Sequence, residues 1–168
     1  MQYKTFETER LHIRPTTEED SEFIFALLNT PKWIQYIGDR GIQTVADAKA
    51  YIQDKMIPQL ERLGYSNYTL IRKEDRIKIG TCGLFDRKSL EGVDIGLAFL
   101  PDYEKKGYAF EASSKLRDIA FEELGLERIS AITTNDNISS QRLLEKLGLQ
   151  YKGTTKLPND SEELLIYL

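Results

Sequence analysis

Asp94-Ile-Gly-Leu-Ala-Phe-Leu-Pro-Asp-Tyr-Glu-Lys-Lys-Gly-Tyr-Ala-Phe-Glu111 decides how the chain is read, because a strand, a short loop and a helix start follow one another in it. Ile95, Leu97 and Phe99 alternate with smaller or polar residues, and Pro101 closes the strand. By that alternation Asp94 lies on the opposite strand face from the three apolar residues. Beyond the loop, Gly107, Ala109, Ala112 and Ser113 open a helix spanning about Gly107 to Leu124. Small residues at a helix start let backbone N–H groups approach a ligand closely. Those groups, with the helix dipole, make an anion site suited to a pyrophosphate. A plain strand–turn–helix unit carries the same local pattern, so both readings stand on this segment alone.

Downstream, Asn135-Asp-Asn-Ile-Ser-Ser-Gln-Arg-Leu-Leu-Glu-Lys-Leu-Gly-Leu149 opens a second helix, Ile138 to Leu147. Asn137 and Ser140 lie three apart at its start and share a face. Asn137 is equally suited to cap the helix. A strand precedes this helix at Arg128 to Thr134, and two follow it at Leu149 to Thr155 and Leu164 to Leu168. Upstream of Asp94, Arg10 to Pro15 alternates and stops at proline, as a first strand does. Thr16-Thr-Glu-Glu19 has the capping-box pattern, and Phe23, Ile24, Leu27 and Leu28 then fall on one helix side. A second helical region runs from Thr44 to Leu63, broken or kinked by Pro58. Tyr65 to Ile71, Ile77 to Phe85 and Val93 to Leu100 are strands, the first two joined by a charged turn, Arg72 to Arg76. The order is mixed α/β (α+β), with helices returning onto one sheet.

The 168 residues suit one compact domain, 1–168. A net charge of −4 argues against a nucleic-acid surface and is compatible with a basic small molecule or cationic peptide. The one cysteine, Cys82, lies in a strand pattern and is expected to be a buried structural thiol. With a single histidine, His12, it cannot build a His/Cys zinc site, and no metal is expected. The start has no apolar stretch resembling a signal peptide, and no apolar run reaches the roughly 20 residues of a membrane helix. A cytoplasmic protein is expected.

Two segments together carry a resemblance. Glu104-Lys-Lys-Gly107-Tyr-Ala109 is similar to the acetyl-CoA motif Gln/Arg-x-x-Gly-x-Gly/Ala of the Gcn5-related N-acetyltransferase (GNAT) superfamily. The run from Asn137 to Leu149 resembles that superfamily's Asn-x-x-Ser-x-x-x-Leu-Glu-Lys-Leu-Gly-Phe, with Leu149 in place of Phe. Thr8-Glu-Arg-Leu-His-Ile-Arg-Pro15 resembles the opening of its RimJ/RimL-type branch, the ribosomal-protein N-terminal acetyltransferases. The match spans nearly the whole chain in the right order.

The resemblance implies a GNAT-like, mainly antiparallel twisted sheet of about seven strands flanked by helices. It implies acetyl transfer from acetyl-CoA to a primary amine, through a ternary complex, by a monomer or homodimer. Cofactor contacts would come from Ala98, Phe99, Leu100, Lys105, Lys106, Gly107, Tyr108, Ala109, Phe110, Asn137 and Ser140. Asp94 matches by position the Glu that serves as base in histone-acetylating relatives. The tyrosine that often protonates the leaving thiolate is replaced by Leu144, which leaves Ser140 as the substitute. Glu104 puts a carboxylate near the pyrophosphate, a conflict unless it turns outward or Lys105 and Lys106 offset it. Trp33, Tyr36 and Phe85 are candidates for an aromatic acceptor wall, although core packing is the commoner role for aromatics. A second function class, an acyl-CoA-binding module without turnover, is separated from the enzyme by assaying turnover.

Overall fold

The computed structural model describes residues 3–87, 90, 92–158 and 160–168. Its strands are β1 (Phe6–Glu7), β2 (Leu11–Pro15), β3 (Asn67–Arg72), β4 (Lys78–Phe85), β5 (Val93–Phe99), β6 (Ile129–Thr133), β7 (Tyr151–Thr155) and β8 (Leu164–Tyr167). They form one sheet in the order β1-β2-β3-β4-β5-β6-β8-β7. Every neighbouring pair is antiparallel except β5 and β6. The sheet has eight strands rather than about seven because the two residues of β1 pair with His12 and Ile13. Two residues are too few to show a period.

The helices are α1 (Ser21–Leu28), α2 (Pro31–Tyr36), α3 (Val45–Tyr51), α4 (Ile57–Leu63), α5 (Tyr108–Glu122) and α6 (Ile138–Lys146). Among the described residues no helix is long and apolar enough to cross a membrane. Helix α2 is additional to the helices expected from sequence. Thr30 caps it by accepting from the Trp33 amide, and Pro31 stands in its first turn, where a missing N–H costs nothing. In the Thr44–Leu63 region Pro58 acts through the turn before it. The Ile57 N–H reaches back to the Ile52 carbonyl, so Ile52–Met56 widens into a π turn between α3 and α4.

The two sheet faces differ in chemistry. One carries Leu70, Cys82, Leu84, Ile95, Leu97 and Phe99, and packs against Ala112, Leu116 and Ile119 of α5 in the main core. Each such aliphatic side chain stabilises the fold by about 1.5–3 kcal/mol when fully buried. The other face is small and polar, with cross-strand pairs Thr81↔Ala98, Gly83↔Gly96 and Phe85↔Asp94 on β4 and β5. It is covered in part by a second core of Ile24, Leu27 and Leu28 from α1 with Ala48 and Ile52, against which Trp33, Ala98 and Leu100 pack.

The start of α1 corrects the expected capping box by one residue. Asp20, not Glu19, reaches back to the Thr17 N–H at 2.9 Å, while Thr16 turns its hydroxyl to Thr69 at 2.9 Å. Asp20 is fully buried and also meets both terminal nitrogens of Arg14 at 2.8 Å and Lys78 Nζ at 2.7 Å. Burial alone would raise its pKa, but the bonds from Arg14 and Lys78 outweigh it and pull the carboxyl down to about 2. The folded value lies below the ordinary 3.8, so this pairing stabilises the fold above about pH 4. That contribution is lost as pH falls from there through about 2. Asp20→Asn keeps the cap geometry but faces two cations with a neutral amide. It should cost about 2–3 kcal/mol at pH 7 by urea denaturation, less than for a fully buried pair because Arg14 and Lys78 keep water. A loss below about 1 kcal/mol would show that the cap, not the charge, matters.

Candidate active site

Strands β5 and β6 pair only at their beginnings, Val93↔Ile129 and Asp94↔Ser130. Beyond Asp94 the β6 side of β5 is open, while β4 pairs with β5 through to Phe99. The Leu100 N–H donates to the Ile79 carbonyl at 2.9 Å, so even-numbered residues of this stretch turn their amides toward β4. By strand alternation the Leu97 and Phe99 N–H groups point into the opening. Of the stretch Ala98–Leu100 expected to meet the cofactor, the Leu100 amide is therefore already engaged. Ala98 and Leu100 turn their side chains into the second core.

The strand leads through a turn at Pro101–Tyr103 to α5. The Tyr103 and Glu104 amides donate to Leu100 and Pro101. Those of Lys105 through Phe110 find no backbone acceptor among the described residues. Lys105 at φ 59° and Gly107 at φ 84° are left-handed, and such alternation turns successive N–H groups to one side. Gly107 is the N-cap of α5, and a Cβ there would lie 3.2 Å from the Arg10 guanidinium.

Arg10 is a feature that residue-by-residue sequence reading missed. Its Nε meets Glu111 Oε1 at 2.7 Å, its Nη1 donates to the Lys106 carbonyl at 3.0 Å, and its guanidinium lies 4.1 Å from the Tyr108 ring centre. Thr8 Oγ1 donates to the other Glu111 oxygen. These contacts fix the loop and the first turns of α5 to the edge of β2. Glu104 turns to Lys32 of α2, Oε2 to Nζ at 2.8 Å. Its charge is thus paired, which removes most of the conflict with a bound pyrophosphate.

On the polar sheet face Asp94 is 3% exposed, and burial pushes its pKa up to about 6 against the pull of Arg87. Arg87 Nε bonds Asp94 Oδ2 at 2.9 Å. Oδ1 is buried and completes no hydrogen bond, although the nearby Ile132 amide adds a small further pull toward the charged form. Phe85 stands beside Asp94 in register, and its ring lies over Gly83 and Gly96, where a Cβ would come within 2.5 Å and 3.3 Å. The two glycines thus make room for the ring. Trp33 joins the second core with its indole N–H buried and unpartnered. Tyr36, on the last residue of α2, lies outside that core.

Across the opening, Asn137 Oδ1 accepts from the Ser140 N–H at 3.3 Å and caps α6. Its amide nitrogen takes no partner among the described residues, so capping leaves it able to bind a ligand. Ser140 is half-buried, and Leu144 lies in the core. The Thr134 hydroxyl, just past β6, is buried without a partner. Cys82 is 1% exposed with its thiol pushed up to about 12 by burial, as a structural thiol should be. Among the described residues no group of three or more His, Cys, Asp or Glu side chains could hold a metal.

An open parallel strand pair feeding a run of unpaired amides, with a buried carboxylate beside it, offers hydrogen-bond donors suited to a phosphate-bearing ligand and an acceptor suited to a proton donor. Residues 10–150 match the family described as acetyltransferase (GNAT) domain, and the chain belongs to that family. It is an acetyl-CoA-dependent N-acetyltransferase. It is 31% identical over 155 residues to the uncharacterized N-acetyltransferase YoaA of Bacillus subtilis (strain 168), covering 92% of this chain and 87% of that one. The fold superposes on an acetyltransferase (GNAT family) from Bacillus anthracis with a TM-score of 0.79 at 26% identity, covering 98% and 96% of the two chains. It superposes equally on RimL, a ribosomal L7/L12 alpha-N-protein acetyltransferase in complex with coenzyme A, with a TM-score of 0.81 at 15% identity, over 98% and 96% of the chains. That last likeness concerns the fold.

Proposed function

We propose that residues 1–168 act as one N-acetyltransferase domain that moves acetyl from acetyl-CoA to a primary amine by direct attack in a ternary complex. The observation that carries this reading is the continuity of the open β5 edge with the unpaired amides of Lys105 through Phe110. The pyrophosphate lies over those amides, the pantetheine arm runs along the open edge, and Asn137 holds it from α6. The amine enters from the polar face, bounded by Phe85, Trp33 and Tyr36.

An ammonium has no lone pair to attack with, so a proton must first leave it. Asp94 Oδ1, buried and unpartnered, accepts that proton. The amine nitrogen then attacks the thioester carbon. The carbonyl oxygen becomes an oxyanion that the Leu97 or Phe99 N–H stabilises. Collapse breaks the carbon–sulfur bond, and the second proton, carried by the nitrogen after its attack, passes to the departing thiolate through the Ser140 hydroxyl, which gives one proton as it takes the other. No covalent enzyme intermediate is needed, because both substrates are held together.

Acetyl-CoA with a panel of peptides, polyamines and small amines should release free thiol in step with an N-acetylated product. Thiol release that is independent of added amine, or tight acetyl-CoA binding without turnover, would favour a binding module instead.

A further inference from the structure

We infer that Arg10 is a positioning residue for the cofactor: by holding the Lys106 carbonyl, it aims the Gly107 N–H at the pyrophosphate of acetyl-CoA. This rests on the reading that places the pyrophosphate over the amides of Lys105 through Phe110.

Lys106 and Gly107 share one planar peptide unit, and in a trans peptide the carbonyl and the N–H point in opposite directions. Arg10 Nη1 donates to the Lys106 carbonyl at 3.0 Å, which turns that carbonyl toward the start of β2. The Gly107 N–H therefore points away from Arg10, and it has no acceptor among the described residues. Arg10 Nη2 lies 3.2 Å from where a Gly107 Cβ would stand, so the guanidinium spans the peptide from its carbonyl to the Gly107 Cα. The peptide on the other side of Gly107 is held by the helix, because the Glu111 N–H donates to the Gly107 carbonyl at 3.1 Å. At φ 84° Gly107 has no side chain to restrain the Lys106–Gly107 unit, and the Arg10 bond does so instead.

Arg10 is itself fixed from several sides. Its backbone N–H donates to Glu111 Oε2 at 3.0 Å, its carbonyl accepts from the Lys73 N–H at 2.9 Å, and its Nε meets Glu111 Oε1 at 2.7 Å. The Tyr108 ring packs on its guanidinium, 4.1 Å from the ring centre. A guanidinium donates in a rigid fork, so the bond from Nε to Glu111 also sets where Nη1 points. Both Glu111 oxygens are engaged, by Thr8 and by Arg10. Burial would raise the Glu111 pKa, but the bonds from Thr8 and Arg10 outweigh it and hold the carboxyl below its ordinary value. The Arg10 charge is thus balanced by Glu111, and Arg10 acts on the phosphates by direction rather than by net charge.

The test compares three acetyl donors on the full chain. They are acetyl-CoA, acetyl-dephospho-CoA, which lacks the phosphate on the ribose, and S-acetylpantetheine, which ends before the pyrophosphate. Product mass is read with one amine held at saturation. Arg10→Met should raise KM for acetyl-CoA and for acetyl-dephospho-CoA by roughly 30-fold, the size expected for one hydrogen bond to a charged group, and should move kcat far less. The loss with S-acetylpantetheine should be much smaller, because that donor makes no pyrophosphate contact. Arg10→Lys keeps a donor for the Lys106 carbonyl, so it should show the same selectivity on a smaller scale. It carries the comparison if the methionine variant does not fold. Arg10→Met/Glu111→Gln also removes the carboxylate that Arg10 no longer balances. Its loss should persist, because nothing then holds the carbonyl.

Equal losses with all three donors would make Arg10 a general support of the fold, and a loss confined to acetyl-CoA would make it a ligand of the ribose phosphate. Either result overturns the inference. So does a native KM in the double variant, which would trace the effect to the Glu111 charge alone. Gly107→Val distinguishes the remaining case. Weak binding there with a native KM in Arg10→Met overturns the role of Arg10 only, whereas native affinity in both means that the pyrophosphate lies elsewhere.

Discussion

Gly107→Val will bind acetyl-CoA about 100-fold more weakly than the native chain, equivalent to about 2.7 kcal/mol of binding free energy. Two effects add. Gly107 holds φ 84° at the N-cap of α5, where a side chain costs roughly 1–2 kcal/mol, and a β-branched one is the worst fit. The helix start must then rotate, and the amides of Lys105 through Phe110 no longer converge. The new side chain also stands 3.2 Å from Arg10, whose guanidinium ties the loop to β2. Gly107→Asn separates the two effects, because asparagine tolerates left-handed backbone while its Cβ still stands 3.2 Å from the Arg10 guanidinium. It should retain nearly native thermal stability and still lose affinity by calorimetry. Native affinity in both folded variants would mean that the pyrophosphate lies elsewhere.

Much of this site is legible in sequence because strand alternation is a local rule. Ile95, Leu97 and Phe99 do face the main core, and Asp94 the opposite side. Local rules fail where two local choices are equal and a distant residue decides. Thr16 and Thr17 each begin a capping pattern, with Glu19 and Asp20 as respective partners. The choice falls to Thr17 because Arg14 and Lys78 claim Asp20, and Thr69 takes the Thr16 hydroxyl. In sequence Glu104 reads as a charge against the pyrophosphate, and its partner Lys32 lies in α2, a helix the sequence pattern does not predict. Arg87 sits in an irregular segment after β4, and nothing in the residues around it signals that its guanidinium folds back onto Asp94. Sequence alone does not set the Leu100 amide apart from its neighbours, because which side of a strand a given N–H faces follows from pairing partners distant in sequence.

Asp94→Asn should lower turnover by about 100-fold near pH 7, within the range for loss of a general base. The native rate should fall below about pH 6, where the raised pKa of Asp94 leaves it protonated and unable to accept. The variant should lack that acid limb. Its deficit should shrink as pH rises toward the amine's own pKa, since free amine then forms without help. Stability should move the other way from activity. A carboxyl whose folded pKa lies above its ordinary 3.8 stabilises the fold most when neutral, and that contribution is lost as pH rises through about 6. At pH 8 the native chain therefore carries a buried charge opposed by one partner, at a cost of about 2–3 kcal/mol. Asparagine removes that cost, and Arg87, one-third exposed, regains water. The variant should melt at or above the native temperature at pH 8 while turning over far more slowly, and it should bind acetyl-CoA normally. A slow variant that is also destabilised, with a deficit independent of pH, would make Asp94 a support for the strand rather than a partner of the amine. Loss of rate with gain of stability is what separates a carboxylate kept for proton transfer from one kept for packing.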